Sequence, residues 1–312
     1  MPLPRRRFLA AASAAFVGSA LDPRALFAQA AAQAPPQTAF TPLRRGVGIF
    51  AGQGGTIGWL VDQKGAVVID SQFPATAQIC LEGMKQRSGG RTIDYLVNSH
   101  HHGDHTAGNG VFQPAVRKIL AHVNVPKLQK AAAERAAQTA PAGQAAAPQV
   151  YATATYDKVW REDVGDEVME LRYYGPAHTS GDSVITFEKA NVAHMGDLVF
   201  NRRHPFIDRP AGASIANWMR VLDQAAGAHD NDTIYIFGHA ATPKFAETGR
   251  KTDLIYMRDY LGALLEFVQA EMKGGKPREA IVKITDPLPK FPDHGPLVER
   301  VLGAAYDEVA TP

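Results

Sequence analysis

Cysteine is almost absent: Cys80 is the only one in 312 residues. A single thiol cannot close an intramolecular disulfide, so a packed core has to hold the fold. A long apolar run is missing too. The nearest approach, Phe8 to Leu21, is shorter than the roughly 20 residues that span a bilayer. Charge is balanced, with 33 basic and 31 acidic residues, and nothing in the composition suggests collagen, a coiled coil or global disorder. What remains is ordinary for a globular enzyme, 45% hydrophobic and 21% charged.

The first thirty residues stand apart. Arg5, Arg6 and Arg7 precede the apolar run, and Ala28-Gln29-Ala30 offers a small-x-small cleavage site. "RRRFL" (Arg5 to Leu9) resembles the twin-arginine export motif, with Pro4 where a Ser or Thr often stands. That resemblance implies a partner in the export machinery, a periplasmic destination, and no stable membrane anchor after cleavage near Ala30. The leader carries four arginines and one aspartate, which leaves 29 basic and 30 acidic residues in the remainder. A net charge near −1 gives no footing for a nucleic-acid or anionic-membrane partner. The expected partner is a small-molecule substrate.

Residues 31–42 read as a flexible linker and 43–312 as one domain. Three short apolar runs before Asp70 read as a meander, "PATAQICLEGMKQRSG" as a helix, and "TIDYLVNS" as a buried strand. Helical material is expected next, then an Ala/Gln-rich stretch over 129–149, part helix and part mobile loop, a candidate lid. Strands resume in "EVMELRYYG", "SVITFEK" and "NVAHMGD". "SIANWMRVLDQAAG" reads as a helix, "DTIYIFGH" as a strand, "TDLIYMRDYLGALLEFVQAEMKGG" as a long amphipathic helix, and a last helix lies around 296–308. Two similar halves, each of strands and helices, suggest sheets packed together with helices outside.

Against this background "NSHHHGDHTAGN", residues 98–109, concentrates four histidines and an aspartate. Alternate residues of an extended chain point the same way, so His100 and His102 can grip one ion. Asp104 and His105 then point towards a neighbouring site, and His101, between two ligands, should face away. Two imidazoles do not make a zinc site, which wants three or four donors. Three ligand-capable residues at the ends of apolar strands offer the rest: His178 in "YYGPAHTSGDS", Asp197 in "VAHMGD" and His239 in "IYIFGHA". His122, His194, His229 and His294 read as structural or surface residues.

These residues resemble the metallo-β-lactamase-fold hydrolase superfamily. Its His-x-His-x-Asp-His hallmark is similar to His100, His102, Asp104 and His105. Its Gly-x-x-His-Thr-x-Gly-Asp element is similar to Gly175, His178, Thr179, Gly181 and Asp182, with Asp197 as the bridging aspartate and His239 as the last ligand. The resemblance implies an α/β fold, a four-layer αββα sandwich of two mixed β-sheets flanked by helices. It implies two Zn2+ ions, one on His100, His102 and His178, the other on Asp104, His105 and His239, with Asp197 between them. A hydroxide bridging the ions would be the nucleophile and Asp104 its proton acceptor. The same donors also suit iron or manganese.

Departures from the family's branches bear on the substrate. Cys80 lies before the cluster, so the thiolate ligand of one lactamase type is missing. Asp197 is a bridging aspartate that the other type generally lacks. Phe200 stands where quorum-signal lactonases place a tyrosine, and the glutathione-binding elements of glyoxalase II have no counterpart. "LVFNRRHPFIDRP" offers Phe200, Arg202, Arg203 and His204 as substrate contacts. The leading expectation is a periplasmic dinuclear zinc hydrolase of an ester, thioester, lactone or amide, β-lactams included. Its alternatives are a mononuclear iron oxidoreductase of the persulfide-dioxygenase kind and a metal-stabilised binding protein.

Overall fold

The computed structural model describes residues 37–139 and 149–311. The leader, residues 31–36 of the linker and residues 140–148 of the Ala/Gln-rich stretch lie outside them. Among the described residues no helix is long and apolar enough to cross a membrane.

The first half of the chain builds a seven-stranded sheet in sequence order. Its strands are β1 (Ala39–Arg44), β2 (Val47–Ala51), β3 (Ile57–Val61), β4 (Ala66–Ile69), β5 (Ile93–Asn98), β6 (Val116–His122) and β7 (Ala154–Tyr156). β1 to β4 run antiparallel, and β4 to β7 are parallel. The second half contributes β8 (Val159–Val164), β9 (Glu167–Arg172), β10 (Val184–Phe187), β11 (Val192–His194), β12 (Phe200–Asn201), β13 (Ile234–Ile236), β14 (His239–Ala240) and β15 (Thr248–Gly249). Six of these form a mixed sheet in the order β15-β13-β11-β10-β9-β8, while β12 and β14 pair separately in parallel. The helices are α1 (Pro74–Ser88), α2 (Gly103–Thr106), α3 (Asn109–Phe112), α4 (Val125–Thr139), α5 (Ile215–Ala228), α6 (Lys251–Lys273), α7 (Arg278–Ile281) and α8 (Glu299–Ala310).

Side-chain alternation assigns the layers. Along β4, Val67 and Ile69 enter a core shared with Met169, Leu171, Ile185 and Phe187 of the second sheet, so the two sheets face each other. Ala66 and Val68 point the other way, onto Ala77, Cys80, Leu81 and Met84 of α1. The outer face of the second sheet, with Val184, Ala193 and Tyr235, is covered by Trp218 and Leu222 of α5, Leu261 and Leu264 of α6, and Leu302 of α8. Helix, sheet, sheet, helix is the αββα order expected. Cys80 is fully buried in this packing, and burial pushes its thiol pKa up, so it acts as a small core residue.

Two segments depart from the sequence reading. The expected linker ends earlier, because Ala39–Arg44 pairs with β2 and Phe40 packs on Phe50 at 4.7 Å. One aromatic among alanines, prolines and threonines carries too little pattern to announce an edge strand. The helical expectation after the histidines is met by α2, α3 and α4, but β6 lies among them. Its Ile119, Leu120 and Ala121 are all buried, the continuous apolar run of a parallel strand covered on both faces.

Candidate metal centre

The ligand-capable residues sit at the carboxyl ends of strands from both sheets, where parallel α/β folds open a crevice. β5 delivers His100 and His102, and the chain then turns into α2, whose first turn holds Asp104 and His105. His102 is the N-cap of this helical turn, still in extended conformation, and the turn swings Asp104 and His105 towards a neighbouring group. The second sheet delivers His178 between β9 and β10, Asp197 just after β11, and His239 at the start of β14. Among the described residues three groups have donor atoms inside a 4.8 Å span: His100, His102, His178 and Asp197; Asp104, His105 and His239; and His101, His102 and Asp208, of which the first two hold the predicted ligands.

In the first group His102 Nδ1 lies 3.0 Å from His100 Nε2 and 2.9 Å from His178 Nε2. The outward nitrogens are all engaged. His178 Nδ1 donates to the Phe206 carbonyl at 2.7 Å, and His102 Nε2 to Asp208 Oδ2 at 2.9 Å. The Ser99 hydroxyl is committed to Asp70 at 2.7 Å, so it accepts from His100 Nδ1 at 3.1 Å. Three lone pairs therefore converge, and one proton cannot satisfy them all. Tetrahedral zinc, with Zn–N of about 2.0–2.1 Å, sets its nitrogens about 3.3 Å apart, so the cage fits such a cation with little adjustment.

Asp197 connects the groups. Its Oδ2 lies 3.8 Å from His100 Nε2, 3.5 Å from His178 Nε2 and 3.4 Å from His239 Nε2, and its Oδ1 lies 3.0 Å from His105 Nε2. Asp104 Oδ2 lies 3.1 Å from His239 Nε2. His105 Nε2 and Asp197 Oδ1 are buried without a well-formed hydrogen bond. Orphaned donor atoms on a buried histidine and carboxylate are what a cation would satisfy.

The charge distribution is that of a site short of positive charge. Burial, with His105 nearby, pushes the His100 pKa well down, and burial takes His178 to about 3, which favours the neutral form of both rings. At Asp197 burial opposes the charge, but His239, His105 and His100 hold the carboxyl well below its usual range. At His239 burial is outweighed by Asp197 and Asp104, which lift it to about 9. At His105 burial is outweighed by Asp197 and Asp70, which raise it well above an ordinary imidazole.

The remaining expectations divide. Phe200 is buried, with its ring stacked on His239 at 5.2 Å and 5.6 Å from His178. It supports ligand rings from behind and does not face substrate. His204 is buried too: its Nε2 donates to the Pro296 carbonyl at 2.8 Å and its Nδ1 accepts from the Tyr260 hydroxyl at 2.7 Å. Arg202 is bound to Asp253 at 2.7 Å and lies over the Tyr256 ring. Both are structural, because a two-sided hydrogen bond and an ion pair with a ring stack leave no group for a substrate. Arg203 is exposed and lines a cavity beside His239. His101 turns from the ligand cages to Asp208, 3.5 Å away.

Three positioning residues escaped the sequence reading. Asp70, fully buried at the end of β4, accepts from the Ser99 N–H and hydroxyl and from His105 Nδ1, each at 2.7 Å, and so orients a ligand of each cage. It does so with φ of +65°, as does its neighbour Gln72 at +55°. Backbone strain of this kind, about 1–3 kcal/mol for each residue, persists where surroundings over-determine it. Asp208 orients His102, and Ser99 relays Asp70 to His100. The only signal was an aspartate at the end of an apolar run, which many strands share.

A family model described as the metallo-beta-lactamase superfamily matches residues 52–239. None of the curated proteins matches the chain. Among solved structures, a metallo-beta-lactamase from Pontibacter korlensis is similar at 16% identity and a TM-score of 0.57, over 72% of this chain and 99% of that one. The stereoselective inverting sec-alkylsulfatase Pisa1 from Pseudomonas sp. is similar at 17% identity and a TM-score of 0.63, over 86% of this chain and 50% of that longer one. A metallo-beta-lactamase from Hirschia baltica is similar at 15% identity, with a TM-score of 0.55, over 72% of this chain and 97% of that one. At such identities these structures establish the fold alone. With the αββα sandwich, the clustered His and Asp donors at its edge and a family match over residues 52–239, the chain belongs to the metallo-beta-lactamase superfamily.

Proposed function

We propose that the chain is a dinuclear zinc hydrolase, exported to the periplasm, that cleaves an ester, thioester, lactone or amide bond. The observation that carries this reading is the pair of donor groups sharing Asp197, whose Oδ2 lies between His178 of one cage, at 3.5 Å, and His239 of the other, at 3.4 Å, while its Oδ1 lies 3.0 Å from His105. His100, His102 and His178 with Asp197 would hold one ion, and Asp104, His105 and His239 with Asp197 the other. Bound there, the ions would supply Lewis acidity and a water acidified to a pKa near 7. Asp104 has the most exposed side chain of the ligand set, 30% against 17% or less for the others. Its carboxylate is thus the one open to solvent, and it takes the proton from the attacking water. Asp70, Asp208 and Phe206 hold the imidazoles in the orientation that leaves their lone pairs inward.

A mononuclear iron oxidoreductase would need one cage only, and a binding protein would need no open carboxylate. The leader, which resembles a twin-arginine signal, supports export with the metal in place. Metal analysis of the exported protein tests the reading: about two zinc per chain is expected, and one iron per chain would replace hydrolysis with oxidation. His102→Ala is expected to lose one ion and at least about 100-fold in rate. Metal content and rate both left intact would end the assignment. Because the similar structures are named as lactamases and a sulfatase, the substrate panel includes a β-lactam and an alkyl sulfate beside acyl esters, thioesters and lactones.

A further inference from the structure

The ligand-bearing stretch opens on Asn98 and closes on Asn109, and neither asparagine belongs to a cage. Both side chains are fully buried. We propose that they are positioning residues, a clasp that holds the loop between them in its metal-binding shape and so sets the affinity of both cages at once. This deepens, and rests on, the hydrolase reading.

The two amides bond reciprocally. Asn98 Nδ2 donates to Asn109 Oδ1 at 3.0 Å, and Asn109 Nδ2 donates back to Asn98 Oδ1 at 2.9 Å. Asn109 also accepts from the Ser71 hydroxyl at 2.9 Å and donates to the Val150 carbonyl at 3.0 Å. A side-chain amide has two donor hydrogens and two acceptor lone pairs, so Asn109 is saturated. Asn98 ends β5 and Asn109 starts α3, so the pair brings together the two ends of residues 99–108. Four ligands lie in that interval: His100 and His102 of the first cage, Asp104 and His105 of the second.

Two apolar side chains could fill the same buried space, but they would tolerate sliding. The reciprocal bonds are made in one register only, and any other leaves buried amide groups unpaired. The middle of the loop is tied to the same clasp. The Ser71 N–H donates to the His105 carbonyl at 2.7 Å, and the Gly108 N–H to the Gln72 carbonyl at 2.8 Å. Ser71 therefore joins Asn109 to a ligand of the second cage. The single Cys80 leaves no disulfide to staple this loop, so side-chain hydrogen bonds have to close it. Because the interval carries two ligands of each cage, loosening its ends weakens both.

Chelator competition on the zinc-loaded full chain reads the two cages as separate steps, and a thermal melt of the same protein reads the fold. Asn109→Ala removes all four bonds and is expected to weaken zinc in both steps about tenfold or more. Asn98→Ala leaves Asn109 its bonds to Ser71 and Val150 and should shift both steps the same way, by less. It carries the test alone if Asn109→Ala does not fold. Glu167→Ala measures a loss of fold alone. Its carboxylate accepts from the Lys189 and Ala190 N–H groups, in the turn before β11, at the opposite end of that strand from Asp197. That variant should melt lower with both zinc steps unmoved. Asparagine variants that behave like Glu167→Ala, or that move one step only, would overturn the proposal. The hydrolase reading fails separately: a parent that holds two zinc and hydrolyses nothing in the substrate panel keeps the clasp and rejects that reaction. A parent with one metal ion per chain has no second step and overturns both.

Discussion

Gly55 shows how tightly the site is fitted at the scale of one residue. A Cβ there would meet His105 Cε1 at 2.0 Å and Nε2 at 2.3 Å, and His105 cannot retreat because Asp70 holds its other nitrogen at 2.7 Å. On the proposed two-zinc reading, Gly55→Ala is therefore expected to cut bound zinc from two towards one per chain while the circular dichroism spectrum stays that of the parent; full zinc retention would show that the hairpin yields instead. His294 gives a pH effect away from the ligands. Its ring stacks on Tyr260 at 3.9 Å and Tyr256 at 5.7 Å, neither nitrogen has a hydrogen-bond partner, and burial, with His204 and Arg202 nearby, pushes its pKa down to about 3. The unfolded chain takes up this proton near 6.5 and the folded chain does not, so the folded state is unpenalised above pH 6.5 and loses stability as pH falls from there towards 3. The slope from this group is about 1.4 kcal/mol per pH unit. His294→Phe keeps the stack and removes the titration, so its urea midpoint should fall less steeply between pH 7 and 4.5; parallel curves for the two proteins would reject the account. Sequence spacing reached the seven ligand candidates because so dense a His-Asp cluster, with further donors at strand ends, seldom arises without a metal to hold. It could not reach Asp70 or Gln72, and it misplaced Arg202 and His204, because what a side chain faces is decided by segments remote in sequence: Asp253 for the one, Pro296 and Tyr260 for the other.

Element by element, legibility followed the strength of local punctuation. α1 opens on Pro74 and closes on Gly89 at φ +64°, and both residues announce a helix boundary. α5 opens on Ser214, whose hydroxyl accepts from the Asn217 N–H at 3.2 Å. β6 was lost because a short, continuously apolar run reads equally well as helix, and β1 because its partner, not its composition, makes it a strand. Even for α5 the sequence tells half the story. Glu308 of α8 accepts from the Ile215 and Ala216 N–H groups at 2.7 and 2.8 Å and pairs with Arg209 at 3.0 Å. A carboxylate at a helix N-terminus satisfies orphan donors and meets the positive end of the helix dipole. Glu308→Ala should therefore cost about 1–3 kcal/mol, seen as a melting temperature several degrees lower with zinc content unchanged. Loss of zinc in this variant would mean that α5 also holds the ligand loop.

At the scale of the whole molecule, the ligands come from two sheets, so the site exists only while the sheets stay in register. Contacts across the interface serve this: the Thr56 N–H donates to the Gly238 carbonyl at 2.9 Å, His194 Nε2 to the Thr56 carbonyl at 3.0 Å, and the Ser183 N–H to the Ser99 carbonyl at 2.8 Å. Ser99 precedes a ligand of the first sheet, and Gly238 precedes one of the second. The chain beyond the family match at residue 239 adds a brace of its own. Arg300, in the first turn of α8, donates to the carbonyls of His204 and Pro205, both at 3.2 Å. The next residue, Phe206, gives its carbonyl to His178, and Asp208 gives a carboxylate oxygen to His102. One C-terminal arginine thus steadies the loop that orients two ligands of a single cage, and nothing comparable among the described residues links it to Asp104, His105 or His239. Arg300→Met should weaken zinc in the first cage about tenfold, read as an earlier first step in chelator competition, with the second step unmoved. Arg300→Lys, which keeps one cationic donor, should recover part of the difference. If both steps shift together, or neither does, the brace acts on the fold as a whole and not on this cage.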